Sequence, residues 1–105
     1  MSQWKVIVTP EFQDEVREIH SYIQNTLLVP ETAQKQIQRI IDSVKTLNTM
    51  PERNPLCERE PWQGRGLRKL IVDKFIVFYL PNPISEEVVV LHVFYGGRNI
   101  EDLLR

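Results

Sequence analysis

The spacing of apolar residues changes several times along the chain, and each change marks an element. Trp4, Val6 and Val8 share one side of a short run and Ile7 takes the other, which predicts a strand over 4–8. With both sides apolar, this run reads as an inner strand rather than a solvated edge. Thr9-Pro10 then switches the period. Thr9 can accept from first-turn amides, and Pro10 suits the first helical position, where an N–H would be unused. Phe12, Val16, Ile19 and Ile23 follow at spacings of four, three and four, a helix stripe that ends near Asn25. A second stripe of Ala33, Ile37, Ile40, Ile41, Val44 and Leu47 predicts a helix over 31–49, entered at Pro30 and stopped by Asn48-Thr49-Met50-Pro51. Its other face carries Glu31, Lys35, Arg39, Asp42 and Lys45. The short connector between the two helices implies an antiparallel hairpin.

Residues 51–66 hold three prolines, two glycines and mixed charge, which predicts a long loop of the kind that is functional or mobile. From Leu67 the pattern is that of strands. Leu67–Val72 is one, Asp73-Lys74 a tight turn, and the unbroken Phe75–Leu80 a central strand. Pro81-Asn82-Pro83 turns the chain, Val88–Tyr95 is the last strand, and Gly96-Gly97 ends it. Asn99 with Asp102 forms a capping-box pattern for a final helical turn whose Leu103 and Leu104 would tuck against the core. The order strand–helix–helix–strand–strand–strand predicts an α+β domain spanning 1–105, with a mainly antiparallel sheet covered on one face by the N-terminal helical hairpin. No internal repeat or low-complexity segment interrupts it.

Composition narrows the classes. A length of 105 residues is one core's worth, and scaling relations bury about two-thirds of the surface of such a chain. A lone cysteine, Cys57, makes neither an internal disulfide nor a Cys-rich zinc site and reads as an ordinary thiol. No run approaches the roughly 18 apolar residues of a membrane span. The start Met1-Ser2-Gln3-Trp4-Lys5 lacks a signal-peptide layout, so the expected location is the cytoplasm. A net charge of -1 argues slightly against a nucleic-acid binder.

The search for chemistry excludes more than it finds. There is no phosphate-cradling glycine loop, and His20, His92 and Cys57 lack metal-ligand spacing, so neither a cofactor nor a metal is expected. What remains is polar groups on apolar strands: Arg68 and Lys69, Tyr79, then His92, Tyr95 and Arg98. In an antiparallel meander these converge at one sheet edge as an anion site, since guanidinium groups match phosphate or carboxylate. Each has a plainer reading. Arg98 can pair with Glu101 or Asp102, and Arg68 with a cross-strand carboxylate. Lys69 points away from Arg68. His92 in its apolar run reads first as a satisfied, half-buried histidine, and Tyr79 and Tyr95 as sheet packing with a hydroxyl at the rim. Trp62 is either a core plug or a partner anchor.

The ordered set of these segments resembles the RelE/ParE superfamily of bacterial type II toxins. It comprises Thr9-Pro10 before a helix, Pro30-Glu31-Thr32-Ala33 entering the second, Gly66-Leu67-Arg68-Lys69-Leu70, Phe75–Tyr79, Val90–Asn99 and Asp102-Leu103-Leu104. The resemblance covers nearly the whole chain. It implies a growth-arresting cytoplasmic toxin neutralised by an antitoxin partner, as a homodimer or in a heterotetramer. RelE-like members cleave mRNA in the ribosome, whereas ParE-like members inhibit DNA gyrase. RNA cleavage needs a base, an acid and cations on the phosphate. Here Arg68 and Arg98 fall at basic positions of the nuclease pattern, but Leu70, Ile76 and Leu104 stand at its second basic position, its third-strand arginine and its C-terminal tyrosine. These departures place the chain nearer the ParE branch. The expected target-binding residues are Arg68, Arg98, Lys69 and Trp62. The alternatives are an mRNA endoribonuclease, with Arg68, Arg98, His92 and Tyr95 catalytic, and a non-toxic module that keeps only the antitoxin interaction.

Overall fold

The computed structural model describes residues 3–26 and 30–96. Strand β1 (Lys5–Val8) runs into Thr9, whose Oγ1 accepts from the Phe12 N–H at 3.1 Å and donates to the Leu91 carbonyl at 3.0 Å. That side chain therefore starts α1 (Pro10–Ser21) and ties its first turn to the sheet. Helix α1 relaxes into a π-helical turn at Tyr22–Thr26, and α2 (Pro30–Lys45) tightens into a 3₁₀ turn at Thr46–Asn48. The buried Phe12 of α1 meets Ile40, Val44 and Leu47 of the α2 end, so the two stripes do form one packed hairpin face.

Strands β2 (Arg68–Val72), β3 (Phe75–Asn82) and β4 (Glu87–Tyr95) form the antiparallel meander. Asp73 turns the β2–β3 hairpin in the left-handed region at φ 56°. Its carboxylate accepts from Arg39 at 2.6 Å and Gln36 at 3.1 Å, which fastens the turn to α2.

Two sequence expectations need correction. The sheet order is β1-β4-β3-β2, so β1 is an edge strand, not an inner one, and it pairs with β4 in parallel, making the sheet mixed. The helical hairpin carries the chain back across the sheet before β2, which is what a parallel neighbour requires. Both sides of β1 are apolar because Trp4 and Val6 pack into the core while Ile7 lies half-buried on the far side. The other correction concerns the β3–β4 turn. Strand β3 runs on through Pro81, paired with Val88, and the chain reverses at residues 83–86. Asn82 Oδ1 accepts from the Ile84 N–H at 3.0 Å to close that turn. Pro81 is tolerated because β2 has already ended opposite Tyr79, leaving β3 a single neighbour there.

The sheet has two unlike faces. Val72, Phe75, Val77, Tyr79, Val88, Val90 and Val93 pack with the helical hairpin as the main core. The opposite face is covered only in part, by the 51–66 segment. Cys57 and Leu67 bury with Phe78, and Trp62 lies against them. Gly66 makes the return possible at φ 84°, a conformation a side chain resists. The segment also runs beside β2. The Cys57 N–H donates to the Leu67 carbonyl at 2.8 Å and the Lys69 N–H to the Pro55 carbonyl at 3.0 Å, so the chain itself covers the start of the β2 edge, as far as Lys69.

Candidate functional site

Period-two alternation sends Arg68 and Lys69 to opposite faces, as expected. Arg68 lies beside Tyr79 on the helix side, and its Nη1 donates to the Asn54 carbonyl at 2.6 Å. The Tyr79 hydroxyl donates to the Pro51 carbonyl at 2.6 Å from a fully buried ring, not from the rim. Burial raises the phenol above its ordinary value, and Asn54, Arg68 and Arg53 pull it partly back. Asn54 Nδ2 is buried there, near enough to the hydroxyl to favour its ionised form but with no hydrogen bond of good geometry. Arg68 and Tyr79 thus lock the start of the long segment onto the sheet.

The other face carries Lys69, His92 and Trp62. Lys69, Phe78 and His92 stand in one cross-strand row, and Ile71, Ile76 and Phe94 in the next. Lys69 Nζ sits 4.0 Å from a Glu58 carboxylate oxygen, and the Trp62 ring stacks under the Arg65 guanidinium at 5.3 Å. Ile71 is 68% exposed, and Ile76, Leu91 and Phe94 are half-buried. This is an open apolar surface with aromatic rings and few cations.

His92 stacks on Phe94 at 5.2 Å and donates from Nδ1 to Glu15 at 2.9 Å. The same carboxylate accepts the Val93 N–H at 3.1 Å. Strand β1 ends opposite Val90, so beyond it β4 has no strand on that side. Thr9 and Glu15 supply the missing partners from α1, and a bulge around Leu91 turns His92 toward them. Glu15 went unremarked in the sequence. Its signal is its place beside the stripe, one turn after Phe12 and one before Ile19. In the neutral imidazole, Nδ1 donation to the carboxylate leaves the Nε2 lone pair as the acceptor.

Among the described residues, the expected candidates do not converge at one edge. Tyr95 pairs with Phe75, the far end of β3 from Tyr79 and Arg68, roughly 13 Å along the strand. It packs edge-on to Phe75 and is 56% exposed. Arg98, with Asn99, Asp102, Leu103 and Leu104, lies outside the described residues. Among the described residues no cluster of His, Cys, Asp and Glu could hold a metal, and no helix is long and apolar enough to cross a membrane.

No curated protein matches the chain by sequence. Among solved structures, the chromosomal ParDE toxin–antitoxin system of P. aeruginosa superposes with a TM-score of 0.74 at 20% identity, over 90% of this chain and 98% of that one. The RelBE2 toxin–antitoxin complex of Mycobacterium tuberculosis gives 0.63 at 18% identity, over 93% and 97%. Both likenesses are of fold. The family model of the ParE toxin of the type II toxin–antitoxin system parDE matches residues 6–100. By that match across the strands and both helices, the chain belongs to the ParE toxin family of type II toxin–antitoxin systems.

Proposed function

We infer that this toxin arrests growth in the cytoplasm by binding a protein target, DNA gyrase, through its open sheet face, and that a cognate antitoxin holds it inactive. The observation that carries the reading is the fate of the cations. Arg68 is committed to the Asn54 carbonyl on the helix side. Ile76 and Leu70 occupy positions where a nuclease pattern has basic residues. Among the described residues of the open face no group of cations faces one point, as a transferring phosphate needs. An apolar surface bordered by Lys69 and the Trp62–Arg65 stack suits a protein partner better.

Ribosome-dependent mRNA cleavage is the second reading, and the Glu15–His92 pair favours it. A carboxylate that orients an imidazole through Nδ1 leaves Nε2 able to take a proton. The two separate in cells. Expression of the chain alone is expected to relax plasmid supercoils while primer extension finds transcripts whole. New in-frame mRNA ends with unchanged supercoiling would replace gyrase by the ribosome. Harmless expression without any partner would leave a binding module.

A further inference from the structure

An imidazole has two ring nitrogens, and the partner of one decides what the other can do. His92 stands in one cross-strand row with Phe78 and Lys69, on the open face. Its ring is held on two sides. Phe94 stacks on it with an interplanar angle of 16°, and the Glu15 carboxylate takes Nδ1, with oxygens at 2.9 and 3.2 Å. The carboxylate is itself fixed, because one of its oxygens accepts the Val93 N–H at 3.1 Å. An ionised carboxylate can only accept, so in the neutral ring the proton sits on Nδ1 and Nε2 is bare. The two side chains are partly sheltered, His92 at 28% exposed and Glu15 at 19%. Among the described residues nothing hydrogen-bonds Nε2. Lys69 ends the same row on β2, two strand spacings or roughly 10 Å from His92 along the sheet.

We propose that His92 is the polar contact that orients the target on the open face, and that Glu15 is the positioning residue that makes it a hydrogen-bond acceptor. The inference rests on the gyrase-binding reading and names the group the target presents opposite Nε2: an N–H or O–H donor, not a carboxylate. Lys69, 4.0 Å from the exposed Glu58, calls for the opposite, an acceptor. The matching surface therefore carries a donor and an acceptor roughly 10 Å apart, with apolar side chains between them against Ile76, Leu91 and Phe94. Apolar contact alone has no direction, and a few fixed polar groups set the orientation of what binds. A ring already held by Glu15 and Phe94 also loses little freedom when the target arrives.

Glu15→Gln isolates the role. Its amide oxygen can keep the Val93 N–H while its NH2 group donates to Nδ1, which moves the imidazole proton to Nε2 and turns the acceptor into a donor. NMR of the imidazole nitrogens in the intact chain reads this directly, at about pH 8, above the range in which histidines ordinarily titrate. The parent should show Nδ1 protonated and Glu15→Gln should show Nε2 protonated. Titrated against gyrase supercoiling without RNA, Glu15→Gln and His92→Phe should each need at least about fivefold more protein than the parent, as the loss of one hydrogen bond of roughly 1 kcal/mol requires. His92→Gln places an amide oxygen near the Nε2 position and should recover most of the inhibition. A parent ring protonated at Nε2, or variants that inhibit as strongly as the parent, would overturn the proposal and leave the gyrase reading standing. A parent chain that leaves supercoiling untouched takes the reading and the proposal down together. New mRNA ends that His92→Gln abolishes would make His92 a proton acceptor in cleavage, and the proposal fails. Should His92→Phe not fold, the ring spectra and Glu15→Gln still decide.

Discussion

Replacing Tyr79 by Phe removes one oxygen atom from the most constrained polar contact in the fold. The ring is fully buried and its hydroxyl donates to the Pro51 carbonyl, which is buried as well. The Phe ring fits the same space, so no cavity forms. What is lost is the bond, and what remains is a carbonyl without a donor beside an amide nitrogen, Asn54 Nδ2, that already lacks a hydrogen bond of good geometry. An orphaned buried group of this kind costs about 1–3 kcal/mol. In a domain of this size each kcal/mol moves the melting temperature by roughly 4–8 °C. The variant should therefore melt near 10 °C lower, with its urea m-value unchanged. The same bond carries a pH signature. Burial raises the phenol above the unfolded value of about 10. The native state then holds its proton where the unfolded chain has lost it, so this contribution is complete below about pH 10 and declines as pH rises toward the raised native value. The gap between parent and Tyr79→Phe should shrink above pH 10. A loss below about 0.5 kcal/mol at neutral pH, or a gap that widens in alkali, would refute the role of this hydroxyl as the anchor of the long segment.

Other consequences are equally direct. Glu15→Ala should cost about 1–2 kcal/mol and speed exchange of the Val93 amide, because that carboxylate covers the β4 edge; unchanged Val93 protection would mean another group serves it. Arg68→Ala should lower toxicity and stability together, by roughly 1.5–3 kcal/mol, since the guanidinium holds the Asn54 carbonyl; lost toxicity with an unmoved melting curve would return Arg68 to a direct target contact. Phe78→Ala should cost about 3–5 kcal/mol and release Trp62, read as a red shift of tryptophan emission at temperatures where the parent is unmoved.

Periodicity made the helices and the meander legible, because a stripe such as Phe12–Val16–Ile19–Ile23 or a run such as Phe75–Leu80 has one economical burial. It misplaced β1 because an edge strand that packs on one face and lies half-buried on the other has the same pattern as an inner one. Nothing local separates them; the parallel register with β4 depends on where the helical hairpin returns the chain. The 51–66 segment was legible as a loop and not as a cover. Its buried members, Cys57 and Trp62, are scattered among charges and share no period. At the candidate site, alternation separated Arg68 from Lys69 correctly. The lock of Arg68 onto Asn54, the deep Tyr79 hydroxyl and the Glu15–His92 contact join residues 14 to 77 positions apart, which only the fold brings together.

Supercoiling by purified gyrase, titrated with the parent chain and with Ile71→Asp, probes the open face most directly. Ile71 is 68% exposed, so the substitution should leave the melting temperature almost unmoved. The expected result is that the parent stops supercoiling in the absence of any RNA while the variant, equally folded, does not. A parent chain that leaves gyrase untouched, or an Ile71→Asp chain that inhibits as strongly, would contradict a target held by this face.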